Sequence, residues 1–417
     1  MELNQKELQR IKVIENAVEG RIPVAKAGEL LGLSERQVKR LKRRYQATTV
    51  EWVRHGNIGR RRAWALKQRV RRKIVNLART KYAGFNDTHL CEKLAEEEGV
   101  IVSRETVRRV LRGAGIASPQ KRRAKKYRTR RERRSRMGEM VLADASRHDW
   151  LEGRGPAMTL QGFQDDATGR ILAARFQLEY EDTWGYLRRL REMVDQYGIP
   201  LSLYRDRHGT FQRNDPHWTV EEQLAGRQTP TQLGRALEEL GIQQIAALSA
   251  QAKGRIERMW RVFQDRLISE LRLAKASTLE QANRVLVDFI DHYNVRFTKP
   301  AREVASDFRP VPKRLNLDRI LSLRYYRVVL NDHVVPLGAK SIQLPELPGG
   351  RGYAGATVEL SHQPNGELHV WLGDRHLHQT ALPTEYAIGL APKRPAVRNR
   401  KPPRIYSYAG RPALGVR

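Results

Sequence analysis

Residues 201–211 read LSLYRDRHGTF: an apolar run closes on an aspartate, Asp206, and passes at once into Arg207, His208 and Gly209. The run has the length and character of a buried strand. A carboxylate where such a strand ends costs solvation unless something positive compensates it. The arrangement occurs a second time upstream, where MVLADAS (140–146) predicts an apolar strand ending in Asp144. Between them, MTLQGFQDDATGRILAARFQLE (158–179) predicts two strands joined by a turn at Asp166–Gly169. TWGYLRRLREMVDQYG (183–198) predicts an amphipathic helix with Trp184, Leu187, Leu190 and Val194 on one face. Further on come a helix over 231–240, a strand in IQQIAAL (242–248) and a long helix in AKGRIERMWRVFQDRLISEL (252–271). The order describes a mixed α/β sheet whose first and fourth strands end in carboxylates.

On the long helix, Ile256, Trp260, Phe263 and Leu267 form the buried stripe. Glu257 follows Ile256 by about 100° of rotation, at the edge of that stripe, and so can face the sheet ends. Asp144, Asp206 and Glu257 together are a hard-oxygen set suited to Mg²⁺ or Mn²⁺. Two such ions, about 3.5–4 Å apart, clamp the attacking and leaving oxygens of an in-line phosphoryl transfer. The residues leave alternatives open. Asp149, Asp165 or Asp166 could replace Asp144 as the ligand, with Asp165 and Asp166 better suited to shaping the hairpin turn. Glu257 could pair with Lys253 or Arg261 at helical spacing. Lys253, Arg255 and Arg258 could hold substrate phosphates beside the site or form a solvated basic edge, and His208 could approach the reacting phosphate or serve only its loop.

Five stretches carry a resemblance: VLADASRHDW (141–150), FQDDATGRIL (163–172), LYRDRHGTF (203–211), SAQAKGRIERMWRVFQDRL (249–267) and FIDHYNVRFTKP (289–300). They resemble the retroviral-integrase-type DDE transposases of bacterial insertion sequences, the ISNCY group in particular, over roughly residues 20–310. The resemblance implies an RNase-H-like catalytic core and a DDE triad of Asp144, Asp206 and Glu257. It also implies two divalent ions per active site, and binding of an element's terminal inverted repeats followed by DNA strand cleavage and strand transfer. The polar stretch QRNDPHWTVEEQLAGRQ (212–228) departs from the pattern as an irregular insert. The alternative function is a sequence-specific DNA-binding regulator with an inactive transposase core; a third is a bare metal-dependent nuclease.

Charge points to the same partner. The 417 residues carry 78 Lys and Arg against 46 Asp and Glu, a formal net charge of +32. Residues 1–136 alone hold 38 basic and 14 acidic side chains, whereas 137–310 are close to neutral. Such a head expects a polyanion, here double-stranded DNA. In GLSERQVKRLKRRY (32–45), Ser34 and Gln37 have capping-box spacing, and the helix they open buries Val38, Leu41 and Tyr45 while presenting Arg36, Lys39, Arg40 and Arg43. DTHLCEKLAEEEGVIVSRETVRRVLRGAG (87–115) repeats the layout, with Ser103 as N-cap, Gly113 as stop, and Arg104, Arg108, Arg109 and Arg112 outward. Both are the pattern of a helix-turn-helix recognition helix.

The expected organisation is therefore multidomain: an all-α head with helix-turn-helix domains at 1–60 and 61–117, a basic linker at 118–136 and the α/β core at 137–310. Hairpin signals at Asn331–Asp332, Asn365–Gly366 and Gly373–Asp374 predict a small all-β barrel over 318–386, before a basic flexible tail at 387–417. The single cysteine, Cys91, excludes an intrachain disulfide and a cysteine-rich zinc site. No apolar run reaches membrane-spanning length and no signal peptide is evident, so the expected setting is the bacterial cytoplasm, with the nucleoid. Two DNA ends must meet, so a homo-oligomer on DNA is expected.

Overall fold

The computed structural model describes residues 4–45, 50–53, 66–119, 131–247, 254–346 and 352–388. The chain divides into two compact units, Met1–Val75 and Asn76–Arg417. The first holds α1 (Gln5–Val18), α2 (Val24–Leu31), α3 (Glu35–Tyr45) and a 3₁₀ turn at Val50–Val53. Its core is Ile14, Ala17, Ala27 and Val38. Gly32, at φ 62°, ends α2 in the left-handed conformation and starts the turn into α3. α4 (Gln68–Arg79) follows.

Next come α5 (Asp87–Glu96) and α6 (Arg104–Gly113), the latter capped by Ser103 through Thr106 N–H. The core then runs β1 (Val141–His148), β2 (Met158–Asp165), β3 (Ile171–Gln177), α7 (Thr183–Tyr197), β4 (Ser202–Arg205), α8 (Val220–Ala225), α9 (Gln232–Glu239), β5 (Gln243–Ala246), α10 (Ile256–Leu273) and α11 (Leu279–Phe297). The five strands make one mixed sheet in the order β3-β2-β1-β4-β5. β1, β2 and β3 are antiparallel neighbours, and β4 and β5 run parallel to β1.

Alternation of side chains along each strand builds two apolar layers. Val141, Ala143 and Leu203 meet Tyr186, Leu190, Leu233 and Leu237 of α7 and α9. On the other face Leu142, Leu160, Phe176 and Tyr204 meet Met259, Trp260, Phe263 and Phe289 of α10 and α11. α8, inside the insert expected to be irregular, is opened by a capping box of Thr219 and Glu222.

β3 is an edge strand, and α11 closes part of that edge with two asparagines. Asn294 accepts from Ile171 N–H at 2.8 Å and donates to Ile171 C=O at 3.0 Å. Asn283 does the same to Phe176, at 2.9 and 3.2 Å. Each amide thereby stands in for a missing neighbouring strand. Replacing buried Asn294 by Leu leaves both Ile171 groups unpaired and is expected to cost about 2–4 kcal/mol, measurable by denaturant unfolding.

The C-terminal strands correct one expectation. After α12 (Leu317–Ile320) come β6 (Leu323–Val328), β7 (Val334–Pro336), β8 (Ser341–Gln343), β9 (Thr357–His362), β10 (Glu367–Leu372) and β11 (Arg375–Ala381). The barrel expected over 318–386 is not closed among the described residues. They form a four-stranded sheet, β11-β10-β9-β6, and a separate ribbon, β7-β8. The hairpins at Asn365–Gly366 and Gly373–Asp374 form as expected. The one at Asn331–Asp332 does not continue into a ladder: β6 pairs with β9 instead. β7 is three residues long and ends on Pro336, which has no N–H to extend a ladder. The expected tail lies outside the described residues from position 389. No helix among the described residues is long and apolar enough to cross a membrane.

Candidate active site

The parallel pairing of β1 with β4 fixes the two strand-end carboxylates. Val141 lies opposite Leu203 and Leu142 opposite Tyr204. Both carboxylates lie just beyond that paired stretch: Asp144 further along β1, and Asp206 immediately after β4 ends at Arg205. Leu142 and Tyr204 both face the α10 layer, and alternation along β1 turns Asp144 the same way. The contact of Asp144 agrees: its Oδ2 accepts a hydrogen bond from the Trp260 indole at 2.9 Å. Asp206 Oδ1 accepts from the backbone N–H of His208 at 3.0 Å, a turn that orients the carboxylate as the chain leaves the strand.

Glu257 occupies the first turn of α10, three residues before Trp260 and on the same side of the helix. Its side chain is exposed. Among the described residues no three His, Cys, Asp or Glu side chains converge on one point as ion ligands. Asp144, Asp206 and Glu257 thus do not form a shared ligand set in the structure. The oxygen donors of the Asp pair suit a hard divalent cation, and so does their placement at adjoining strand ends.

A fourth carboxylate was not anticipated from the sequence. Glu181, just before α7, accepts a hydrogen bond from the buried Tyr186 hydroxyl at 2.6 Å and lies 3.7 Å from His208 Nδ1. Burial pushes its carboxyl above the usual range; the charges of Asp206 and Asp144 add to that, while Tyr186 and His208 oppose it. Glu181 therefore lies within electrostatic reach of both aspartates. Its only sequence signal was its place ahead of the helix cap Asp182.

Asp165 and Asp166 are fully buried at the β2–β3 turn. Asp165 accepts from Thr168 N–H at 2.8 Å, Thr168 Oγ1 at 2.6 Å and Gly138 N–H at 3.0 Å. Asp166 accepts from the guanidinium groups of Arg131 and Arg255 and from Arg134 N–H. Burial would raise the Asp166 carboxyl, but these donors hold it below the usual range. Asp149, the remaining alternative, accepts from Gly153 N–H at 3.1 Å within its own loop.

On α3, Arg36, Lys39, Arg40 and Arg43 are all exposed. Lys42, on the same helix, is used internally, donating to Ala17 C=O at 2.6 Å. On α6, Arg104 and Arg109 are exposed, Arg108 pairs with Glu105 at 2.6 Å, and Arg112 bonds Asp87 at 2.6 Å. Arg258 is exposed and Arg255 is engaged by Asp166. Lys253 lies outside the described residues, as do 120–130 of the basic linker.

Residues 9–48 match a family model described as a helix-turn-helix domain. Over 376 residues, 89% of this chain and 80% of the relative, the sequence is 37% identical to a Sinorhizobium fredii protein named as transposase y4bF. It is 32% identical to the transposase for insertion sequence IS1202 of Streptococcus pneumoniae, covering 78% of this chain and 76% of that one. Among solved structures, the simian T-cell lymphotropic virus intasome in complex with PP2A regulatory subunit B56 gamma aligns over 74% of this chain and 96% of its own, with a TM-score of 0.31 and 13% identity. The HTLV-2 integrase catalytic core domain in complex with magnesium aligns over 36% and 84%, with a TM-score of 0.26 and 14% identity.

Proposed function

This chain belongs to the transposase family, and from that premise we propose that it binds the terminal inverted repeats of an insertion sequence and catalyses metal-dependent DNA strand cleavage and strand transfer. The observation that supports the reading is the parallel pairing of β1 with β4, two adjoining strands that lead into Asp144 and Asp206, with Asp144 bonded to Trp260 of α10. In this reading the core is RNase-H-like, and Asp144, Asp206 and Glu257 hold Mg²⁺ or Mn²⁺, two ions per site. When bound, the ions supply Lewis acidity to the attacking and leaving oxygens of an in-line displacement at phosphorus.

The protein's own groups do the rest. Trp260 orients Asp144, and the His208 N–H orients Asp206. The exposed cations of α3 and α6 take the end DNA, and Arg258 extends the basic surface beside Glu257. Hydrolysis at the element's end frees a 3′-hydroxyl, and the same site accepts that hydroxyl as nucleophile toward target DNA. Two ends must be held at once, so the working form is an oligomer on DNA.

Arg40→Ala is expected to weaken end binding and to lower the slope of log K against log salt by about 1, measured by fluorescence anisotropy. For function, the test is a labelled duplex of the DNA flanking the gene, incubated with the protein and Mg²⁺ or Mn²⁺. Nicking at one defined position with a 3′-hydroxyl product is the expected result. Scattered nicks would support a bare nuclease. The exposed position of Glu257 favours a second reading, a DNA-binding regulator with an inactive core; tight end binding without nicking under either metal would support it.

A further inference from the structure

α10 carries Glu257 in its first turn, yet it starts without a side-chain cap: Arg255 at the N-cap position makes no capping hydrogen bond. Neighbouring core helices begin differently. α7, α9 and α11 are capped by Asp182, Thr231 and Thr278. An uncapped first turn frays, which is a poor base for a residue that must hold a ligand position. What holds this one is distant in sequence. The Arg255 guanidinium bonds Asp166 Oδ1 and the carbonyl of Arg131.

Asp166 is fully buried and takes two further donors, Arg131 Nη2 at 2.6 Å and Arg134 N–H at 2.9 Å. Its side chain thus joins three segments: the β2–β3 turn, the 131–134 end of the basic linker and the start of α10. Arg133 adds to the same junction through Ala167 C=O at 2.9 Å.

We infer that Asp166 is a positioning residue for the catalytic centre, acting as a long-range substitute for the missing cap: through Arg255 it fixes the first turn of α10 and so the location of Glu257. This inference rests on the proposed role of Glu257 for its catalytic consequence, but not for its structural one. Of the three donors on Asp166, only Arg255 adjoins α10, at its N-cap position. Removing it should disturb Glu257, while removing Arg131 should not.

The experiment uses the full chain and three variants: Asp166→Asn, Arg255→Gln and Arg131→Gln. The first readout is hydrogen–deuterium exchange without metal or DNA. Asp166→Asn and Arg255→Gln are expected to speed exchange about tenfold or more at the first hydrogen-bonded amides of α10, 259–262, with the sheet unchanged; Arg131→Gln is expected to leave 259–262 at the wild-type rate. The second readout is the Mn²⁺ concentration for half-maximal nicking, expected to rise about tenfold in the first two variants and to stay put in the third. Should Asp166→Asn fail to fold, Arg255→Gln decides alone, because it leaves Arg131 and Arg134 on the buried carboxylate. Wild-type exchange at 259–262 in Arg255→Gln would overturn the inference, as would equal acceleration in Arg131→Gln. If the wild-type protein itself shows no nicking, the catalytic reading falls, and the exchange data still decide whether Asp166 anchors α10.

Discussion

Asp206→Asn is expected to reduce strand nicking by about a thousandfold, the scale of losing a preorganised electrostatic contact at a reacting phosphate, while binding of end DNA stays within about twofold. Asp144→Asn should behave alike. Asp144 lies on β1 and Asp206 directly follows the adjoining strand β4, both remote in sequence from the exposed cations of α3. The amide keeps the shape and can still accept from His208 N–H, so the loss would report charge rather than folding. Parallel measurement of nicking and anisotropy checks this. Loss of both together would mean that Asp206 supports the structure, and loss of neither would remove it from the site.

Glu92→Gln is expected to destabilise the 76–417 unit by about 3–5 kcal/mol, the largest stability effect anticipated for a single change here. Glu92 is 7% exposed and faces Arg266, 8% exposed, at 2.5 and 3.0 Å; Arg296 joins it at 2.5 Å. Neutralising Glu92 leaves the Arg266 charge buried without its counterion, and an uncompensated buried charge costs far more than the pair contributes. The same seam carries His89 to Glu270 at 2.6 Å and Lys93 to Glu270 at 3.0 Å. It anchors α5, and through it α6, to α10. The denaturation midpoint of the full chain checks the expectation. The double variant Glu92→Leu with Arg266→Met should recover much of the loss, since Arg296 is 39% exposed and can turn to solvent.

The catalytic core was largely legible because its signals are local. Apolar runs marked β1 and β4, and the stripe Ile256, Trp260, Phe263 and Leu267 marked the buried face of α10; all four are buried. α11 was not read, although Thr278 and Gln281 form a capping box and Leu286, Phe289 and Tyr293 a buried stripe. Only its second half had been noticed, as a motif. The contacts that tune the site were not legible, because they join residues far apart in the chain: Trp260 to Asp144, Arg255 to Asp166, Glu181 to the two aspartates. Periodicity places a side chain on a face and says nothing about what it meets there. The C-terminal sheet shows the same limit. Turn residues located its hairpins, but whether β6 pairs with β7 or with the distant β9 depends on contacts no local signal encodes.

The central claim is that one pair of strand-end aspartates, completed by Glu257, both cuts and joins DNA. The most direct measurement is to sequence the junctions formed when the purified protein, with Mn²⁺ or Mg²⁺, meets duplexes ending in its own element's terminus and a supercoiled target. The expected result is the element's 3′ end joined covalently to target DNA at a discrete position, with junctions absent from Asp206→Asn and Glu257→Gln proteins that still bind the end. Specific end binding by the wild-type protein, with no junctions under either metal, would contradict the claim.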